Sequence, residues 1–243
     1  MDDLDLQNVK TKYAERDDIW IKRDKWHYYS YETIGAFINE NVKKLKISND
    51  IDIINLGSGG NPYCFEERNM LHVDIIGKNI INKPRSLISN IEKIDVPNDS
   101  YHCCLCVGSV INYTDALRSI KEIDRILKHG GYLFLEFENS KSFEFYKTND
   151  YNKSAAIVET FYQGEKERLW VYSESFIKQI LKDYKFNILS IKRFHIVSPL
   201  IYRMNKNSIK ASRFSKLDNI VSYIPIISKN ASNVILIAQK ILF

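Results

Sequence analysis

From Asp50 onward, two textures of apolar residues alternate along the chain. The first is a short β-branched run, seen at Ile51 to Leu56, Leu71 to Asp74, Leu87 to Ser89, Tyr101 to Val107, Tyr132 to Phe137, Phe186 to His195 and Asn233 to Gln239. Continuous apolar runs of this length predict strands buried on both faces, as in a parallel sheet. The second has helical spacing. Thr114 can cap a helix that buries Leu117, Ile120, Ile123 and Leu127 and stops at Gly130 and Gly131. Ser173 can cap another that buries Phe176, Ile177, Ile180, Leu181 and Tyr184. Strands alternating with such helices predict an α/β fold whose seven-stranded, mostly parallel sheet is covered on both faces.

Three segments stand outside the alternation. Residues 1–46 predict a helical cap: a helix, a turn, and a helix from Ser30 to Lys46 with Ile34, Phe37, Ile38 and Val42 on one face. The main domain is then 47–243, with insertions before its sixth and seventh strands. The first, at about 140–169, is rich in Tyr and Phe and reads as a hairpin around Gly164. The second, at about 198–232, is basic, amphipathic and helical in pattern. Insertions at a sheet edge are where substrate pockets tend to be built.

A chain of 243 residues suits one such domain with appended helices, and 44% hydrophobic with 27% charged residues excludes the disordered and fibrous classes. The longest apolar runs fall far short of the roughly 18–20 residues that a membrane span needs. The acidic start MDDLDLQNVK is unlike a secretory signal, so a cytoplasmic protein is expected. Three of the four cysteines crowd into His102 to Cys106 without a second ligand pair, which predicts core packing and no metal site. The net charge of +5 is uneven: Lys192 to Lys216 holds seven Lys or Arg and no acid. That run suggests either an anionic partner or a solvated helix face.

Candidate chemistry sits at IDIINLGSGGNPY, residues Ile51 to Tyr63. Ligands of parallel sheets bind beyond the carboxyl ends of the strands, where Gly57, Ser58, Gly59 and Gly60 fall. A Walker phosphate loop would need a Gly-Lys-Ser/Thr that is absent here. A dinucleotide fingerprint would need glycine where Pro62 stands, and a helix where only NPYCFEERNM separates Gly60 from the next strand. An S-adenosylmethionine site fits better. Its glycine turn admits the amino-acid end of the cofactor, and Asp74 ends the second strand where an acid can accept the ribose hydroxyls. Asn90 and Ile91 can meet the adenine, and Val107, Gly108 and Ser109 follow the fourth strand close to the ligand.

These pieces, INLGSGGNPY, HVD, NIEKIDVPNDSY and IDRILKHGGYLFLE, make the chain resemble the class I S-adenosylmethionine-dependent methyltransferases over Ile51 to Glu138. His129 takes the place of the proline in the family's leucine-lysine-proline-glycine-glycine turn. The resemblance implies a Rossmann-like sheet of order 3-2-1-4-5-7-6 with the last strand antiparallel. It implies S-adenosylmethionine as cofactor, S-adenosylhomocysteine as product, and Leu56 and Ile75 as further cofactor contacts beside the residues above. Two departures stand out: the helix after the glycine turn is absent or very short, and the second crossover is short too. Both are similar to a subgroup found in bacterial surface-polysaccharide and small-molecule pathways.

A sulfonium methyl is already activated, so the protein aligns a nucleophile and, for a hydroxyl, removes a proton. Strand order brings Glu138 and His195 to the same sheet edge, with His27 and Tyr28 arriving from the cap. His195 reads as general base or as a strand cap; Glu138 reads as base, as a holder of an acceptor hydroxyl or the cofactor amine, or as structural. Tyr28, Tyr29, Tyr31, Phe143, Phe145, Tyr146, Phe161 and Tyr162 can wall a ring-shaped substrate or simply pack the cap, and Tyr13 can approach the cofactor carboxylate. In an RNA enzyme, such aromatics would stack bases while Lys206, Lys210, Arg213 and Lys216 hold phosphates. DNA amino- and cytosine-carbon enzymes fit poorly, because Val107 is followed by GSVINY with neither Pro-Pro-aromatic nor Pro-Cys. The expected activity is methyl transfer to a small-molecule hydroxyl, on a sugar or sugar nucleotide. An RNA methyltransferase and a non-catalytic cofactor-binding protein are the alternatives.

Overall fold

The computed structural model describes residues 9–11, 13, 14, 22, 24–48, 50–162, 165–205 and 208–241. Its centre is a seven-stranded sheet of order β3-β2-β1-β4-β5-β9-β8. The strands are β1 (Ile53–Leu56), β2 (Met70–Asp74), β3 (Ser86–Ile88), β4 (Tyr101–Cys106), β5 (Leu127–Glu138), β8 (Phe186–Phe194) and β9 (Asn233–Lys240). β9 runs antiparallel between β5 and β8, while the β1, β2, β3, β4 and β5 pairs are parallel. Counted within the sheet, this is the expected 3-2-1-4-5-7-6. The remaining strands, β6 (Ala155–Tyr162) and β7 (Glu165–Tyr172), form a separate antiparallel hairpin.

Alternation within single strands builds two cores. In β4, Cys104 and Cys106 face one side with Ile54, Leu133 and Leu135. That side packs against α2 (Ala116–Ile126) and α3 (Glu174–Asp183) through Ile120, Ile123, Ile177 and Leu181. Cys103 and Leu105 face the other side with Phe134 and Ile235, beneath Ile34, Phe37 and Ile38 of α1 (Lys25–Lys44). Three of the four cysteines are thus core residues, and burial pushes their thiols upward, that of Cys106 to about 12.

Some boundaries differ from the pattern-based expectation. The cap helix begins at Lys25, five residues before Ser30, because Asp24 caps it by accepting the His27 N–H. The Ser30 hydroxyl is used instead on His195 and the Trp26 carbonyl. Asp115, not Thr114, caps α2 by accepting the N–H groups of Leu117 and Arg118, and Leu117 is exposed. α2 ends at Ile126, before the double glycine, and β5 starts at Leu127. The register with β4 slips between Tyr101 and Cys103, so Gly130 and Gly131 lie within an irregular stretch of strand rather than at a helix stop. Gly130 takes φ +78°, which an L side chain resists.

Between β8 and β9 the chain forms short helices: α4 (Val197–Asn205), α5 (Ser208–Ser212), α6 (Asp218–Val221) and α7 (Pro225–Ser228). No described helix is long and apolar enough to cross a membrane.

Candidate active site

A cavity of about 940 Å³ opens beyond the carboxyl ends of β1, β2, β4 and β5. Ligand pockets commonly measure about 300–1,000 Å³, so this one has room for a cofactor and a small acceptor together. Its floor is the glycine turn. Gly57, Gly59 and Gly60 all take positive φ, at 59°, 51° and 79°. A Cβ on Gly57 would come within 2.4 Å of Val110 Cγ2, so only glycine fits there.

Asp74 at the end of β2 locks this turn. Its Oδ2 accepts from the Gly59 N–H at 2.9 Å and its Oδ1 from the Ile76 N–H at 3.0 Å. Burial raises its carboxyl, and these N–H donors oppose the rise. Ser58 Oγ accepts from the Gly60 N–H at 3.1 Å and lies 3.1 Å from Nδ1 of the buried His72. Gly57, Ser58, Gly59, Asp74 and Ile75 all line the cavity. Asn90 and Ile91 after β3, and Val107, Gly108 and Ser109 after β4, complete this half. Leu56 is instead fully buried in the strand and not on the wall.

Glu136, which the sequence reading passed over, organises the turn after β4. It is buried in β5, where its Oε2 accepts from the N–H groups of Gly108 at 3.0 Å and Ser109 at 2.5 Å. Its Oε1 accepts from Asn233 Nδ2 at 2.8 Å. Burial raises the carboxyl, and these donors pull it back. Gly108 and Ser109 adopt positive φ, and the carboxylate satisfies the two N–H groups that this turn leaves without strand partners. A charged residue in the middle of an apolar strand was the signal that could have found it.

Glu138 ends β5 on the cavity wall, half-buried. Burial pushes its carboxyl up to about 8, reinforced by Glu136, Glu144 and Glu167. Asn112 positions it: Asn112 Oδ1 accepts the Glu138 N–H at 3.0 Å, while Nδ2 donates to the Trp170 carbonyl of β7 at 2.7 Å. The hairpin adds Thr160, Glu167 and Leu169 to the same wall, and Tyr113 donates to Glu167 Oε1 at 2.8 Å.

His195 is placed differently. Its ring is fully buried, with Nε2 2.9 Å from Ser30 Oγ and no hydrogen-bond partner for Nδ1. Burial, then the nearby His27, pulls it down to about 3, so the imidazole stays neutral. It stacks on Trp26 with ring centroids 4.4 Å apart, and Trp26, not His195, lines the cavity. The histidine on the wall is His27, whose Nδ1 lies 2.8 Å from Asp24 Oδ2.

The aromatic lining also differs from the expected set. Tyr13, Trp26, Tyr63, Tyr113 and Tyr202 line the cavity, whereas Tyr28, Tyr29, Tyr31, Phe143, Phe145 and Tyr146 do not. Tyr13 approaches the Tyr113 hydroxyl at 3.2 Å. The side chains of Phe161 and Tyr162, and residue Lys206, lie outside the described residues. No group of His, Cys, Asp and Glu among the described residues is arranged to hold a metal ion.

The turn, the acid after β2 and the carboxylate-lined cavity fit a cationic sulfonium cofactor with a ribose and an adenine. Comparison with known proteins agrees. Residues 57–135 match a family described as a methyltransferase domain. No curated protein sequence matches the chain. Similar solved structures include an S-adenosylmethionine-dependent methyltransferase from Clostridium acetobutylicum, with TM-score 0.56 and 15% identity over 98% of each chain. Another is the Burkholderia thailandensis 1,6-didemethyltoxoflavin-N1-methyltransferase, with bound 1,6-didemethyltoxoflavin and S-adenosylhomocysteine. It has TM-score 0.58 and 11% identity, covering 98% of this chain and 88% of that one. The [4+2]-cyclase SpnF is also similar, with TM-score 0.55 and 13% identity, covering 86% of this chain and 81% of that one. Such identities show the fold alone. Residues 57–135 thus form a methyltransferase domain, set in a sheet whose order and similar solved structures are those of a Rossmann-like α/β fold.

Proposed function

We propose that the chain methylates a small-molecule acceptor at a hydroxyl, on a sugar or a sugar nucleotide, with Glu138 taking the proton. The observation that carries this reading is Glu138 on the wall of the same cavity as the Gly57–Gly59 turn, with its carboxyl held at about 8. A proton acceptor works best with a pKa near the operating pH.

The half of the cavity holding Gly57, Ser58, Gly59, Asp74, Asn90 and Ser109 is assigned to the cofactor. When bound, S-adenosylmethionine supplies a methyl group whose bond to sulfur breaks with its electron pair left on sulfur. The other half, between Glu138, His27, Tyr202 and the β6–β7 hairpin, is assigned to the acceptor. There, Glu138 orients the hydroxyl through a hydrogen bond and removes its proton as the new carbon–oxygen bond forms. Trp26 and Tyr202, with ring centroids 6.2 Å apart, shield that end from water. His195 is assigned a supporting role, because a neutral buried ring behind Trp26 is poorly placed to carry a proton.

The likeness to a [4+2]-cyclase means that fold alone does not establish methyl transfer. Incubation with methyl-labelled S-adenosylmethionine and separate pools of sugars, sugar nucleotides and RNA tests the reading. Label is expected in a sugar pool, and its transfer is lost in Glu138→Gln. Label in RNA, or unchanged turnover by Glu138→Gln, would refute it.

A further inference from the structure

The insertion between β8 and β9 is amphipathic in the reverse sense to a solvated helical segment. Its inner side is small and polar: Ala211, Ser212, Ser215, Asp218, Ser228 and Asn230 are buried. Its outer side carries Phe214, Leu217, Ile220, Tyr223, Ile224 and Ile226, all exposed, with Tyr223 at 86% and Ile226 at 83%. A contiguous stretch of large apolar side chains facing water marks an interaction surface rather than a solvated face.

The charge on this stretch has one sign. Lys210, Arg213, Lys216 and Lys229 are all exposed. Asp218, the sole acid from Ser208 to Ser232, is buried, and its Oδ1 accepts the N–H groups of Ile196 at 3.1 Å and Val197 at 3.0 Å. The carboxylate is thereby used to tie the insertion to the end of β8, and its charge does not offset the cations outside. Exposed branched aliphatic side chains and a tyrosine, in one stretch with exposed lysine and arginine, suit the interface of an anionic bilayer. The apolar tips enter the acyl boundary there while the cations meet the headgroup phosphates. RNA binding would draw on stacking aromatics, and here isoleucines and a leucine outnumber Phe214 and Tyr223.

We propose that residues 213–229 form a docking surface for an anionic lipid bilayer, holding the protein reversibly at the membrane. Tyr202 of α4 and Ser212 of α5 line the cavity, so docking sets the acceptor end of the site beside the bilayer. This proposal does not depend on which hydroxyl the enzyme methylates.

The test is flotation of the full chain with vesicles of phosphatidylcholine alone or mixed with phosphatidylglycerol, at low and high salt. Binding to the mixed vesicles is expected, weakening with salt. Each cation near the surface contributes about fivefold in partitioning, so the double variant Arg213→Glu with Lys216→Glu should bind at least about twentyfold more weakly. The pair Tyr223→Asp and Ile226→Asp should lose binding as well. Unchanged thermal unfolding and cofactor affinity would show that the variants are folded, as expected for exposed positions. No partition of the folded wild type onto anionic vesicles would overturn the proposal, as would equal binding by the variants. Two further results would do the same: binding to polyuridylate but not to vesicles, or self-association in sedimentation velocity that both variants abolish.

Discussion

Glu138→Gln tests catalysis and stability at once, with opposite signs. The native carboxyl sits at about 8 against an ordinary 4.5, so it binds its proton more tightly when folded than when unfolded. Folding is therefore penalised above the unfolded value; the penalty grows with pH until about 8 and is constant beyond. Each pH unit in that window costs about 1.4 kcal/mol, giving a ceiling of about 4 kcal/mol at about pH 7.5. Water at the half-buried side chain reduces this to about 1–2 kcal/mol. Glutamine keeps the shape and carries no charge to desolvate, so the variant should melt about 2–8 °C higher at about pH 7.5. Near pH 4.5 the difference should shrink to a few tenths of a kcal/mol or less, since the native carboxyl is then neutral and the unfolded one only half ionised. Thermal unfolding followed by circular dichroism at the two pH values, at equal ionic strength, measures it. The same substitution should lower kcat by about 10²–10⁴-fold with cofactor affinity unchanged. A stabler, inactive variant is the exchange of stability for function expected at a desolvated site. Equal melting of wild type and variant at about pH 7.5, or a difference that persists undiminished near pH 4.5, would refute the assignment of a raised carboxyl.

Other substitutions probe the rest of the site. Asp74→Ala removes the acceptor of the Gly59 N–H, and hydrogen bonds to charged groups contribute about 1.5–3 kcal/mol. Calorimetry should show cofactor binding about 10–100-fold weaker. Glu136→Gln leaves one acceptor oxygen for three donors and turns an amide toward N–H groups. It should cost about 2–4 kcal/mol, seen as a lower denaturant midpoint at unchanged slope. Gly57→Ala places a methyl 2.4 Å from Val110 at a φ of +59°. It should be destabilised by at least about 1–3 kcal/mol and bind cofactor weakly. His27→Gln disturbs the ring held by Asp24 but not the assigned base. It should keep more than about one-tenth of kcat, and a loss as large as that of Glu138→Gln would move the proton to His27.

Much of the sheet was legible because parallel strands buried on both faces leave continuous apolar runs, as at Cys103 to Cys106. Those runs, in order, gave the strand count. Positive-φ glycines after β1 and the acid after β2 were legible for a similar reason, since close backbone approach and a buried carboxylate leave few residue choices. Helix starts were less so. Asp24 and Asp115 displaced Ser30 and Thr114 as caps, because several adjacent residues were competent and tertiary hydrogen bonds chose among them. Glu136 was hidden inside an apolar run, and its role depends on Gly108, Ser109 and Asn233, which only the fold brings together. The aromatic lining of the cavity was the least legible part. Tyr113, Trp26 and Tyr202 come from three elements far apart in sequence, and aromatic spacing alone does not tell a wall from a packed cap.

The most direct test of the account is isothermal titration of the purified chain with S-adenosylmethionine and then S-adenosylhomocysteine, with Asp74→Ala alongside. The account predicts saturable one-to-one binding of both ligands by the wild type, with much weaker binding by the folded variant. Failure of the folded wild type to bind either ligand would contradict the assignment of the cavity, and equal binding by Asp74→Ala would remove Asp74 from the site.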